Sequence, residues 1–380
     1  MPFYRDRQRI FGLPAVIVLA DQPFGDLPTG DVMKPLNIDP STFRYHALIG
    51  TGGIGAGTFF LLSGNHTLGR EESRLGRFLA KRDYCKLHII THYVKALLGP
   101  SFPVIEIGKV GDDDVGKRIR AEMEENGLDV RYVGVSAGDQ TLFSICFLYP
   151  DGTGGNLTTE DSASFKVSVG DVAQAEPEFA RFRGKGIALA APEVPLEARH
   201  ALLRLGTKYG FYRAAVFSAG EMKPALAAGM LADVDLLAGN LEEIATAIDM
   251  DASAQPAQAV AEAAVERLAS IFPRLELSIT AGRQGSYSWD GSHLHFEPSF
   301  PVPKVESSAG AGDSHLGLML VGKALGLPMA EAQQLANLVA AMTVTSPHTI
   351  DYRVNRDSLR EFARQSGREL HPSVRRLLAE

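Results

Sequence analysis

From residue 186 onward the chain alternates between short apolar runs and helical spans, and this alternation constrains the fold more than any other feature. Gly186 to Ala190, Tyr212 to Phe217, Val234 to Leu237 and Leu275 to Thr280 are apolar stretches of strand length. Pro195 to Leu205, Leu241 to Ile248 and Pro256 to Ile271 show helical spacing, the last with Val260, Ala264, Leu268 and Ile271 inward. Further helices are expected over Asp313 to Leu325, Pro328 to Val344 and Asp357 to Gln365. Near-continuous apolar strands are buried on both faces, and strands separated by helices form a parallel sheet wound right-handed. The expected class is therefore α/β: three layers, α/β/α, around a mostly parallel central sheet. Gly285 to Trp289 and His293 to Phe296 flank Asp290-Gly291, a hairpin turn.

The first half is less regular. Residues 1 to about 44, rich in Pro, Gly and Asp, read as an N-terminal extension to one α/β domain over 45–380. Tyr45 to Ile49 is a first buried strand. Leu87 to Leu98 is a helix stopped by Gly99-Pro100, and Pro103 to Ile107 a strand. Val115, Ile119 and Met123 share one face of a helix closed by Gly127. Val130 to Val133 is a further strand. Thr141 to Tyr149 and Leu157 to Thr159 flank the turn Pro150-Asp151-Gly152 as a hairpin. A hairpin inserted in such a chain suits a small lid over an active site, with lid segments at about 56–75 and 130–165. Residues 66 to 84, with Arg70, Glu71, Glu72, Arg74, Arg77, Lys81 and Arg82, read as a solvated surface segment. Leu142, Phe143, Ile145, Phe147 and Leu148 leave neither lid face plainly polar, so the lid could pair two subunits as a homodimer.

A formal charge of −7 provides no broad basic field for nucleic acid. No apolar run approaches the ~20 residues of a membrane span. Ile10 to Ala20 is broken by Gly12 and Pro14 and makes a poor signal peptide. Two distant cysteines, Cys85 and Cys146, fit a reducing compartment, and a cytoplasmic location is expected.

Ligands of an open parallel sheet lie at the C-terminal ends of its strands. Three stretches fall there: Gly239 to Glu243, Thr280 to Gly285, and Val305 to Gly317. In the last, small residues lead into an apolar helix with one acid, Asp313, at its start. A helix N-terminus approached by small residues suits phosphate, and a carboxylate among them could take a proton from an attacking hydroxyl. The other reading is a tight turn with Asp313 as a cap. Likewise Asn240 and Glu243 could form a capping box, and Gly282 and Gly285 a plain turn. A competitor lies upstream, where Gly50, Gly52 and Gly55 follow a strand, with Glu71 and Glu72 about 20 residues on. That spacing would suit the dinucleotide of an NAD(P)-dependent oxidoreductase; otherwise it is a glycine-rich strand end near a substrate.

Taken in order, these stretches resemble the ribokinase-like (PfkB) carbohydrate kinase family. Ser307-Ser308-Ala309-Gly310-Ala311-Gly312-Asp313 resembles its second signature. Asn240 with Glu243 resembles its N-x-x-E, Thr280 with Gly282 and Gly285 its T-x-G-x-x-G, and Val110 to Gly116 its V-G-x-D-x-x-G. Asn337 to Pro347 resembles its final helix. The resemblance implies an ATP-dependent transfer of the γ-phosphate to a hydroxyl of a small sugar or sugar-like molecule. Asp313 would be the base, and the N–H groups of Gly310, Ala311 and Gly312 the anion hole. Asn240 and Glu243 would act through Mg²⁺ and its waters. Thr280, Gly282 and Gly285 would line the nucleotide, with Asn337 near the adenine.

The substrate half departs from the family pattern. Its usual acid after the first strand would fall near Gly55, where none is present. The places of a glycine pair hold Cys85 and Lys86, and the place of an asparagine holds Ile90. Ser307 and Ala309 also depart. Gly52, Gly53 and Asn65 are then the candidates on the acceptor side, with His66, His92, Arg70 and Arg74 as further polar groups; a basic contact would fit an anionic acceptor. A nucleotide-binding homologue without phosphoryl transfer is the other alternative.

Overall fold

Leu48 and Ile49 are neighbours in sequence, both fully buried, and they enter different cores. Side chains alternate across a strand, so a strand that buries every residue must be covered on both faces. The same split recurs at Ile187 and Ala188 and at Leu236 and Leu237. One core holds the helices Lys86–Leu98, Ala311–Leu325 and Met329–Thr343; the other holds Leu196–Tyr209, Ala219–Ala227, Leu241–Ala247 and Ala257–Ala264. The result is the expected three-layer α/β/α arrangement.

The computed structural model describes residues 34–151 and 153–380. Residues 1–33 of the expected N-terminal extension lie outside them. Thirteen strands are described: β1 Ala47–Thr51, β2 Gly55–Leu62, β3 Gly76–Tyr84, β4 Val104–Gly111, β5 Asp129–Ser136, β6 Leu142–Leu148 and β7 Gly154–Thr158, then β8 Gly186–Ala190, β9 Tyr212–Val216, β10 Leu236–Asn240, β11 Glu276–Thr280, β12 Gly285–Trp289 and β13 Leu294–Pro298. The large sheet runs β13-β12-β11-β10-β9-β8-β1-β4-β5. It is parallel from β11 to β5, and the hairpin β12-β13 adds an antiparallel edge.

A second, four-stranded sheet runs β3-β2-β6-β7. Strand β3 lies within the stretch read as a solvated surface. Its charges hid it: Arg77 is exposed, but Asp83 and Tyr84 at its end are buried. Strand β5, inside the span given to the lid, pairs with β4 in the large sheet instead. Ile271, expected inward, is 66% exposed. The helix changes to a π turn at Val265–Ala269, and the wider turn rotates the following residue off the apolar face.

Candidate active site

Strand β10 ends at Asn240 and β11 at Thr280, in register as parallel neighbours. The helix Ala311–Leu325 starts beside them. Thr280, Asn240, Glu243, Gly312 and Asp313 line one cavity of about 60 Å³ together with Lys86. Thus three stretches separated by tens of residues converge at the strand ends.

The turn before the helix is set by Gly310. Its φ is 80°, and a Cβ there would stand 2.3 Å from the Thr349 carbonyl oxygen. Only glycine takes this conformation at so close an approach. No side chain caps this helix start, and its first turn meets the cavity at Gly312 and Asp313 with the positive end of the helix dipole, while the Ala311 N–H donates to the Ser308 carbonyl at 3.4 Å. Asp313 sits in that turn and is 9% exposed.

Lys86 is the first residue of the Lys86–Leu98 helix, and its Nζ lies 3.2 Å from Asp313 Oδ1. Sequence reasoning counted it only as a lost glycine. The two helices approach closely where Gly317 meets the Ile90 carbonyl, at 2.9 Å from a hypothetical Cβ. That crossing brings Lys86 to the acid. The Asp313 charge holds the Lys86 ammonium above the ordinary lysine range.

Asn240 and Glu243 form the capping box: Asn240 Oδ1 accepts from Glu243 N–H and Glu243 Oε2 from Asn240 N–H, each at 2.9 Å. Burial raises the Glu243 carboxyl, against the pull of Lys86. Among the described residues no group of three or more His, Cys, Asp or Glu could hold a metal. The Glu243 carboxylate and the Asn240 amide oxygen are hard oxygen donors on this cavity and fit an ion that keeps several waters.

The remaining predicted residues divide. Gly52 and Gly53 lie at the end of β1 beside the cleft. Asn65 is exposed in the turn after β2 and accepts from Asp151 N–H at 3.1 Å, tying two lid turns together. Arg74 is engaged by Glu72 and by the His66 and Thr67 carbonyls. His92 is buried against the Tyr352 ring at 4.8 Å. Asn337 does not line the cavity: its Nδ2 donates to the Glu297 carbonyl and its Oδ1 accepts from Ser286, anchoring β12 and β13. Gly282 and Gly285, with φ of 54° and 119°, shape the turn from β11 into β12. The glycines Gly50, Gly52 and Gly55 lead into β2, not a helix. The strand-to-helix turn of the dinucleotide fingerprint is therefore not formed by this segment.

Two acids missed in the sequence lie against the glycines Gly53 and Gly57. Glu193 follows β8, in a left-handed conformation with φ 73°. Its Oε2 would lie 2.5 Å from a Cβ on Gly53, is sealed from solvent and has no hydrogen-bond partner. Burial pushes its carboxyl up to about 7. Its place directly after a strand end was the available signal. Asp83 on β3 is 6% exposed and accepts from Ser144 Oγ at 2.7 Å and Cys146 Sγ at 3.3 Å. Burial raises it too. Cys85 lies between the acids, its thiol raised by burial and then by Glu193.

The root of β3 is stitched to the loop behind the helix start. Thr349 N–H donates to the Arg82 carbonyl at 3.2 Å, and Tyr84 N–H to Thr349 Oγ1 at 3.1 Å. The carbonyl of the same threonine packs against Gly310.

Comparison with known proteins agrees with this geometry. The pfkB family carbohydrate kinase model matches residues 94–355. A curated relative described as the uncharacterized sugar kinase YegV of Escherichia coli K12 is 30% identical over 125 residues. That match spans 33% of this chain and 37% of the relative's length. Among solved structures, ribokinase from Giardia lamblia superposes with a TM-score of 0.69 at 16% identity, covering 83% of this chain and 99% of that one. Ribokinase from Cryptococcus neoformans var. grubii in complex with ADP gives 0.68 at 14%, covering 83% and 99%. A nucleoside kinase from Burkholderia thailandensis in complex with inosine gives 0.65 at 17%, covering 85% and 99%. At these identities the structures show the fold; the family match spans most of the chain and includes the cavity residues from Asn240 to Asp313. The chain is a member of the PfkB family of carbohydrate kinases.

Proposed function

We propose that the protein is an ATP-dependent phosphotransferase acting on a hydroxyl of a small sugar-like molecule, with Asp313 as general base. The observation that carries this reading is the convergence of Asp313, Lys86 and an uncapped helix start in one cavity. The acceptor hydroxyl oxygen attacks the γ-phosphorus, its proton passes to an Asp313 carboxylate oxygen, and the bond to the β-phosphate oxygen breaks to release ADP. The N–H groups of Gly310, Ala311 and Gly312 and the Lys86 ammonium stabilise charge on the transferring phosphoryl oxygens. Thr280 borders the nucleotide phosphates. Asn240 and Glu243 would hold hydrated Mg²⁺, which when bound supplies charge neutralisation of the triphosphate. On the acceptor side Glu193 takes the place of the acid that the sequence lacks near Gly55.

The lid sheet closes over this cleft and is also the surface through which a homodimer would form. Among the described residues no helix is long and apolar enough to cross a membrane, and both cysteines are unbonded.

The test is ADP release with a panel of sugars and nucleosides. Removal of a general base costs on the order of 10²–10⁴ in rate, so Asp313→Asn should lose turnover while still binding an ATP analogue. Parental turnover by Asp313→Asn would sink the mechanism. ATP binding by the parent with no transfer to any acceptor would favour a silent homologue.

A further inference from the structure

We propose that the protein carries a second small-molecule site, at the end of the large sheet opposite the Asp313 cavity, and that this site takes a polyhydroxyl compound bearing a phosphate. It stands apart from the phosphotransferase reading, which does not depend on it.

Parallel strands begin at one end of a sheet and finish at the other. Asn240 and Thr280 mark the finish, where the Asp313 cavity lies. At the start lies a larger cavity of about 340 Å³, and small-molecule sites begin near about 300 Å³. Tyr212 opens β9, Asp235 directly precedes β10, and Arg274 and Tyr45 lie just ahead of β11 and β1; all four line this cavity. Along β10 the rise from Asp235 to Asn240 amounts to about 16 Å, so one sugar-sized molecule does not reach both cavities. The walls are fixed by the chain itself. Asp235 N–H donates to the Arg213 carbonyl at 2.8 Å, and Tyr45 N–H to the Ala324 carbonyl at 3.3 Å.

The lining is positive by one arginine. Arg213 is 6% exposed and lines the cavity beside Asp235. Asp235 Oδ2 accepts from the Arg213 backbone N–H at 2.9 Å and from Nε at 2.8 Å, and Oδ1 accepts from Nη2 at 2.6 Å. Thr207 Oγ1 accepts from Nη1 and holds the same guanidinium. Glu276, which accepts from the Tyr212 hydroxyl, is paired with Lys323 at 2.7 Å. Both acids therefore already have a cation. Arg274 has no hydrogen bond, ion pair or ring contact among the described residues. A phosphate matches that guanidinium in charge and in its several acceptor oxygens. Hydroxyls suit the rest of the lining. Asp235 Oδ1 holds one donor from the chain and can accept another, and the Tyr45 phenol can donate or accept. A nucleobase fits worse. The Tyr45 and Tyr212 rings pack on each other with centroids 5.7 Å apart, and Arg44 and Lys323 lie over them at 5.5 and 5.4 Å. A base that needs a stacking face must displace one of these partners, and a sugar need not.

The experiment uses the full chain with Mg²⁺ and an excess of a non-hydrolysable ATP analogue, so that the Asp313 cavity is filled. Calorimetry measures binding of hexose and pentose phosphates, each against its unphosphorylated counterpart, with inorganic phosphate and nucleoside monophosphates as further arms. A charge-assisted contact to arginine is worth about tenfold or more in affinity, and at least one sugar phosphate should outbind its counterpart by that factor. In Arg274→Gln the gain should disappear. Arg274 is an exposed side chain, so the melting temperature and the affinity for the ATP analogue should stay at their parental values and report an intact fold. The proposal is overturned if no sugar phosphate outbinds its counterpart, binding of neither included, or if inorganic phosphate binds as tightly. It is equally overturned if nucleoside monophosphates bind best, or if Arg274→Gln keeps the gain. Each of these outcomes leaves the kinase reading standing, because that reading is decided separately by ADP release in Asp313→Asn.

Discussion

Replacing Gly310 by alanine tests the phosphate cradle through the backbone. The φ of 80° costs an alanine about 1–2 kcal/mol. Its Cβ would stand 2.3 Å from the Thr349 carbonyl oxygen, whereas ordinary contact begins near 3.4 Å. The helix start and the Thr349 loop must therefore part by about 1 Å, and such overpacking adds about 1–3 kcal/mol. The sum, about 2–5 kcal/mol, lowers the melting temperature by roughly 3–6 °C in a chain of this size. The same 1 Å shift moves the N–H donors away from the phosphoryl oxygens, and misplacement on that scale costs about 10²-fold in rate. Gly312→Ala is the control. Its φ is not positive, and the nearest atom to the new methyl is Thr280 Oγ1 at 4.0 Å. Alanine in a helix gains up to about 1 kcal/mol over glycine, so the melting temperature should hold or rise. The methyl enters the cavity, however, and KM for ATP should climb about tenfold, or about 1.4 kcal/mol. Calorimetric melting and initial rates of ADP release read both variants. If Gly310→Ala melts early yet keeps the parental kcat, the turn serves only the fold and the cradle reasoning is wrong.

Three further outcomes are expected. Lys86→Met should lower kcat on the order of 10²–10³, the cost of one lost donor to transition-state charge, with partial recovery in Lys86→Arg; initial rates within threefold of the parent would refute the role. Glu193 is held up to about 7 by burial, above the usual 4.5. A raised acid binds its proton more tightly when folded, so stability falls as pH climbs from 4.5 to 7, and the loss is complete above 7. Glu193→Gln removes that loss, worth at most about 3 kcal/mol, so its advantage in thermal melts should be small at pH 5 and full at pH 8; a pH-independent difference would refute the assignment. Leu75 and Leu157 on the lid are 83% and 60% exposed, and sedimentation at micromolar concentration should show a dimer that charged substitutions there dissociate. A persistent monomer removes the lid-paired assembly.

The C-terminal half was legible because its strands are unbroken apolar runs between helices of strong period. Strands β8, β9 and β11 fall within one residue of their expected bounds, and β10 runs three residues past its expected end. Strand β3 was not legible. It is a half-polar strand whose acid is buried against Ser144 and Cys146, and in one dimension its charges are indistinguishable from a solvated loop. Asp313, Gly310 and Thr280 could be named as candidates because their spacing is local. Lys86 and Glu193 were missed because long-range geometry decides them: one depends on a helix crossing at Gly317, the other on the parallel pairing of β1 with β8, which carries Glu193 to Gly53 across 140 residues. Asn337 is the opposite case. Its helix pattern was right, but its amide is consumed by Ser286 and Glu297.

Thr349 gives the lid a lever on the phosphate. Its N–H and hydroxyl belong to the root of β3, and its carbonyl rests against Gly310. On the proposed kinase reading, an acceptor that displaces the root of β3 would move the donor turn through this one residue. A water molecule is too small to do so, and ATP hydrolysis without an acceptor should then be slow.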